Sequence, residues 1–221
     1  MKVTLALLTL NEIDGVKAIV PRIPKTAVFE IFCVDGGSTD GTVEWLAGKG
    51  IRVVRQKNRS RADAVRLALV EAKGDAIIYF SPDGNEVPED IPKLVEEAEK
   101  GYDLVIASRF AKGGRSEDAG FVHSIGNKAL TFFANLFFGI HVTDAINGFR
   151  LIRKSVLSEI GYDAKRHEGD MEMTLRVAKK GYKIAEIPTI EPRRIGGKAK
   201  IKTFTDGWLY FKTIIKERFR N

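Results

Sequence analysis

Ser81, Asp83 and Asn85 set oxygen-bearing side chains at alternate positions directly after the apolar run Ala76 to Phe80. Such a run reads as a buried strand that stops at Ser81-Pro82. Oxygens spaced this way suit a hard cation, and Mg2+ needs only one or two carboxylates when substrate phosphates fill other positions. The same residues also favour a turn, because Pro fixes φ, Gly accepts positive φ, and Asp and Asn bond their own backbone. An EF-hand does not fit, since its ladder of alternating ligands with a closing Glu is missing. On this stretch alone Asp83 reads as a cation ligand or as a turn residue.

A site of this kind needs strands that end together. Val3 to Leu10, Phe29 to Val34, Arg52 to Arg55, Ala76 to Phe80 and Leu104 to Ala107 read as strands. The segments 59–73 and 91–100 between them read as helices. Strands alternating with helices predict an α/β chain, a doubly wound, mostly parallel sheet with helices on both faces. Ligands of such sheets bind beyond the carboxyl ends of the strands. Here those ends are Thr9-Leu10-Asn11-Glu12, Asp35-Gly36-Gly37-Ser38, the Ser81 to Asn85 turn and Ser108-Arg109. The second half is less regular: a helix from Ile125 to Phe138, a strand from Phe149 to Ile152, a helix from Asp170 to Lys180 and a strand from Lys183 to Ile187.

The chain has 221 residues and a net charge of +7. That length suits one domain, and the charge points to an anionic partner. No nucleic-acid motif accompanies it, so nucleic acid is not the expected partner. The single cysteine, Cys33, lies in an apolar run and allows neither an internal disulfide nor a thiolate metal site. No signal-peptide pattern opens the chain, and a cytoplasmic setting is expected. Gly36 to Gly41 lacks the Lys of a P-loop, and Ser38 breaks the dinucleotide fingerprint. The histidines His123, His141 and His167 show no ligand spacing, and neither HExxH nor GxSxG occurs.

TLNE (9–12), VDGGSTDGT (34–42), SPDGN (81–85), SRF (108–110), NGFR (147–150) and RIGGKAK (194–200) follow one another along the chain. In that order they resemble the motifs of family 2 glycosyltransferases with the GT-A fold, and most of all the polyprenyl-phosphate sugar synthases of the dolichyl-phosphate mannose type. The resemblance runs from about Val3 to Lys200. It implies a catalytic domain over 1–203, with a nucleotide-sugar half (1–110) and an acceptor-side half (111–203), followed by a basic amphipathic helix over 204–221.

By the same resemblance Thr9, Asn11, Glu12 and Asp35 line the nucleotide pocket. Asp83 belongs to the metal-binding DxD, with Ser81 and Asn85 beside it and Mg2+ or Mn2+ as the cation. Ser81 stands where relatives carry the first Asp, Asn85 where they carry Gln, and Gly36 where they carry the second Asp of VDDGS. The implied reaction is inverting transfer of a hexose from a GDP-mannose or UDP-glucose type of donor, the cation stabilising the departing diphosphate.

Two acceptors remain open. A saccharide hydroxyl needs a base, for which Asp170 is the candidate, although Asp170 also reads as a first-turn acid matched to a helix dipole. A polyprenyl phosphate is largely ionised at neutral pH and needs cations instead; Arg109, Arg115, Arg150, Arg194 and Lys200 match or flank the family's positions for that work. A nucleotide-sugar binding module without catalysis is a third reading.

The tail places Trp208, Phe211, Ile215 and Phe219 at helical spacing beside Lys212, Lys216, Arg218 and Arg220. An interfacial helix on a membrane surface has this pattern. So does a helix packed on its own domain or on a second subunit of a homo-oligomer. The segment from Ile125 to Ile140, with its phenylalanines, is expected to pack on the core.

Overall fold

The computed structural model describes residues 1–195 and 203–220. The chain runs through β1 (Val3–Thr9), α1 (Ile13–Ile19), β2 (Glu30–Asp35), α2 (Thr42–Gly48), β3 (Arg52–Arg55), α3 (Arg61–Glu71), β4 (Ala76–Phe80), α4 (Ile91–Glu99) and β5 (Leu104–Ser108). It continues through β6 (Arg115–Ser116), α5 (Phe121–Phe138), β7 (Arg150–Arg153), α6 (Lys154–Glu159), α7 (Gly169–Lys179), β8 (Ile184–Pro188), β9 (Ile190–Glu191) and α8 (Thr203–Phe219).

Seven strands form one sheet in the order β3-β2-β1-β4-β7-β5-β8. All neighbours are parallel except β7, which runs antiparallel to both β4 and β5. The order reverses about β1, so the carboxyl ends of β1, β2 and β4 open onto a crevice. Register ties those ends together, with Thr9 opposite Asp35 and Leu7 opposite both Cys33 and Phe80.

Period-two alternation divides the strand side chains between two apolar layers. Leu5, Leu7, Ile78, Phe80 and Leu151 pack on one face beneath α1 and α4. Ala6, Leu8, Ile77, Tyr79 and Ile152 pack on the other, against Val65 and Ala68 of α3 and Met173 of α7. Cys33 is an inert core residue, its thiol pushed up to about 12 by burial.

A third cluster joins α5, α7 and α8 through Ala134, Leu175, Tyr210 and Ile214. The tail therefore packs on its own domain, but with a different face from the predicted stripe. Trp208 and Phe219 remain 58% and 79% exposed. The expectation for α5 holds on one side of the helix, where Leu130, Phe133, Phe137 and Phe138 pack against this cluster. The helix starts at Phe121, and of its residues only Thr131 and Ala134 are fully buried. Phe132 and Leu136 are each about 60% exposed, because they face away from α7 and α8, on which α5 packs.

Candidate active site

The ends of β1 and β2 are braced by Asp35, which is fully buried. Its Oδ2 accepts the N–H groups of Gly37 and Ser38, each at 2.8 Å, and its Oδ1 accepts the hydroxyls of Thr9 (3.0 Å) and Ser38 (2.5 Å). Asn11, at φ 56°, accepts the Thr39 N–H on its side-chain oxygen at 2.8 Å. A cleft of about 380 Å³ opens beside this brace, with Thr9, Glu12, Gly36, Gln56 and Arg59 among its lining residues. Thr9 and Glu12 lie in its wall as predicted. Asn11 and Asp35 do not, and this corrects the sequence expectation: their oxygens are spent shaping the 36–39 loop from behind.

In the loop after β4, Asp83 is a turn residue that also holds an arginine. One carboxylate oxygen accepts the Asn85 N–H at 3.1 Å and closes the turn, while the other meets Arg194 Nη1 at 2.5 Å. Two further bonds tie the 192–195 segment to this loop: Asn85 Nδ2 to the Pro192 carbonyl (2.8 Å) and Ile195 N–H to the Asp83 carbonyl (2.9 Å). Asn85 thus acts as an anchor through its amide. Gly84 sits at φ +97°, where a Cβ would fall 2.6 Å from Ile195 Cγ1.

Glu86 completes the loop by accepting the Ser81 N–H at 2.6 Å. Burial pushes its carboxyl well above the usual carboxylate range; Arg61 pulls it back and Asp83 adds to the rise. The Asp83 and Glu86 carboxyls, with the Ser81 hydroxyl in the same wall, form an oxygen-only donor set. Mg2+ and Mn2+ favour such sets. The residues fit a divalent cation.

A second cleft, of about 410 Å³, lies between this loop, α5 and α8. Asp170, at the start of α7, lines it and is held by Arg61 Nε at 2.6 Å. Ser60 caps α3 by accepting the Asp63 N–H, which delivers Arg61 from the first turn into the crevice. The Arg61 guanidinium is held charged by Asp170 against the cost of its own burial.

Arg150 is corrected from ligand to scaffold. It is 0% exposed, and it donates to the carbonyls of Ala145, Asn147 and Asp170 and to the Thr174 hydroxyl. Burial lowers its affinity for the proton, and Asp170 offsets part of that. Arg109 is likewise engaged, by Asp144 at 2.7 Å and Glu191 at 3.1 Å. Arg115 is exposed and pairs with Glu117. Lys200 lies outside the described residues.

Arg61, Ser81, Asp83, His167 and Arg194 line both clefts and mark the place where they meet. Sequence reasoning missed Arg61, Glu86 and His167. For Glu86 a signal existed, a carboxylate one residue beyond the turn. Arg61 and His167 gain their places only from contacts distant in sequence.

An open α/β sheet whose first strand ends meet a carboxylate-bearing turn, with paired clefts beyond it, defines a GT-A type of protein. The solved glucosyl-3-phosphoglycerate synthase of Mycobacterium tuberculosis, in complex with Mn2+, uridine diphosphate and phosphoglyceric acid, superposes with a TM-score of 0.75. That match spans 100% of this chain and 79% of that one, at 20% identity.

Residues 7–161 match the family model for glycosyl transferase family 2, and the chain belongs to that family. It is 31% identical over 187 residues to a dolichyl-phosphate hexose transferase of Haloferax volcanii, covering 85% of this chain and 80% of the relative. It is 29% identical over 215 residues to an undecaprenyl-phosphate mannosyltransferase of Micrococcus luteus, covering 91% and 88%. A dolichol-phosphate mannosyltransferase of Pyrococcus furiosus is 29% identical over 212 residues, covering 91% of this chain but 60% of that longer protein.

Proposed function

We propose that this glycosyltransferase moves a hexose, with inversion, from a nucleotide-diphosphate sugar of the GDP-mannose or UDP-glucose type to a polyprenyl phosphate. The observation that carries the reading is the meeting of two clefts at Asp83, one beneath the strand ends and one beneath α5 and α8. The names of the relatives agree with it.

In this reading the first cleft seats the nucleotide against Thr9, Glu12 and Gly36, and the sugar reaches the junction. Asp83 would hold Mg2+ or Mn2+, with Ser81 and the Glu86 carboxyl beside it. The cation supplies charge stabilisation for the departing diphosphate. Arg194 leaves Asp83 for the diphosphate, to which its planar fork is matched.

A phosphate acceptor is already an anion near neutral pH, its second pKa being about 6, so the reaction needs no base. The alternative, a saccharide hydroxyl with Asp170 as base, is poorly supported. One Asp170 oxygen is held by Arg61, and the other is fully buried.

The lipid part of the reading draws on the outward faces of α5 and α8. Phe132, Leu136, Trp208, Ile215 and Phe219 are exposed there, with Lys128 and Lys212 exposed among them. Apolar patches of this kind mark interaction surfaces. Among the described residues no helix is long and apolar enough to cross a membrane. In this reading the protein sits peripherally at the cytoplasmic membrane face.

The test is transfer of radiolabelled sugar from GDP-mannose, UDP-glucose or UDP-N-acetylglucosamine to undecaprenyl phosphate in detergent, with and without Mn2+ or Mg2+. Cation-dependent label in the organic phase is expected. Label appearing only on a saccharide would favour the hydroxyl alternative. Nucleotide binding with neither transfer nor donor hydrolysis would mark a binding module.

A further inference from the structure

His167 precedes α7 and is part of both cleft walls. Its Nε2 lies 3.2 Å from Oδ1 of Asp206. Asp206 stands in the first turn of α8 and is 1% exposed. The Tyr210 ring, one turn further along α8, lies 5.5 Å from the imidazole, and its hydroxyl donates to the His167 carbonyl at 3.4 Å. A buried carboxylate is costly to keep in a fold unless it is paired. Here one end of the last helix places one against a ring at the junction of two clefts.

Among the described residues, the arginines that line the acceptor cleft are already engaged. Arg61 is held by Asp170, Arg109 by Asp144 and Glu191, and Arg194 by Asp83. With Nε2 facing Asp206 at 3.2 Å, the ring nitrogen left for a ligand is Nδ1. An orienting carboxylate of this kind fixes which nitrogen a histidine offers.

We propose that His167, oriented by Asp206, binds the phosphate monoester of the acceptor at the point of transfer. Resting on the transferase reading above, the inference adds the residue pair that recognises the acceptor's head. Nδ1–H bonds one phosphate oxygen while another attacks the anomeric carbon. The new carbon–oxygen bond forms as the bond to the diphosphate breaks, the nucleoside diphosphate leaves with that electron pair, and His167 keeps its proton. His167 touches substrate, whereas Asp206 is a positioning residue.

The test exploits the chain's three histidines, whose imidazole resonances are few enough to assign with H167Q. Farnesyl phosphate, farnesol and inorganic phosphate are titrated into 15N-labelled protein. Farnesyl phosphate is expected to move the His167 signals, farnesol to leave them unmoved, and inorganic phosphate to act only at much higher concentration.

H167Q and D206N should each weaken farnesyl phosphate binding about tenfold or more, as loss of a charge-assisted hydrogen bond does. The double variant should be no worse than the weaker single one. If D206N does not fold, H167Q alone decides. Equal responses to farnesol, His167 signals that stay still, no binding of farnesyl phosphate, or variants that change only Tm would each overturn the proposal.

The two readings fail separately. Farnesyl phosphate bound at His167 with no glycolipid formed from any donor would sink the transferase reading and keep the phosphate site. Glycolipid formed by H167Q at an unchanged acceptor KM would do the reverse.

Discussion

Asp83 uses one oxygen for its own turn and the other for Arg194, so replacing it should separate folding from function. Asp83→Asn keeps the acceptor for the Asn85 N–H but removes the charge. Transfer is expected to fall about 10²–10³-fold, and Mn2+ should no longer raise the Tm of the nucleotide complex. A retained Mn2+-dependent rise would remove Asp83 from the cation site.

Arg150→Met should instead act on stability. It strips donors from three carbonyls and a counter-charge from Asp170, at a cost of about 3–5 kcal/mol in urea unfolding. Glu86 gives the pH dependence. A carboxyl raised in the folded state favours the native protein only while protonated, so its contribution is lost as pH rises from the ordinary value of 4.5 through the raised one. Above pH 4.5, metal-free Tm should therefore fall more steeply in wild type than in Glu86→Gln, and the two curves should converge below it.

At the scale of elements, α1 sets the height of the Asp83 loop. A Cβ on Gly15 would lie 2.2 Å from the Pro82 carbonyl oxygen, so helix and loop touch backbone to backbone. Gly15→Ala must push one of them away. The expected result is a folded protein whose nucleotide affinity in the presence of Mn2+ drops about tenfold or more, measured by calorimetry against the same titration without metal.

The parallel half of the sheet was legible because its strands are short apolar runs bounded by Gly, Pro, Asp and Asn. Ala76–Phe80 and Arg52–Arg55 coincide with β4 and β3. The antiparallel course of β7 was not, since LIR alternates the same way in either direction and its neighbours come from distant segments. The site divides along the same line. Asp83, Thr9 and Glu12 could be placed on cleft walls because they lie at or just beyond strand ends. Arg150 was misjudged, because a motif arginine bound to carbonyls and one bound to phosphate look alike in sequence. The partners of Arg61 and His167, Asp170 and Asp206, lie 109 and 39 positions away.

For the molecule as a whole, the exposed faces of α5 and α8 should give salt-sensitive binding to vesicles containing phosphatidylglycerol. Basic residues near such a surface contribute about 1 kcal/mol each, screened within a Debye length. Co-sedimentation at low salt is expected, with strong loss in a Phe132→Glu, Trp208→Glu double variant that leaves Tm unchanged. Protein that stays in the supernatant with every vesicle composition would detach these helices from the lipid reading. The outward stripe was visible in the sequence; that α8 also buries Tyr210 and Ile214 against α5 and α7 was not, because the two faces differ little in apolar content.

The common wall of the two clefts carries a thermodynamic obligation. Whatever draws Arg194 away from Asp83 on the donor side alters the charge presented on the acceptor side, since both residues belong to both cavities. Donor and acceptor are then coupled ligands: each changes the dissociation constant of the other, and linkage requires the factor to be the same in both directions.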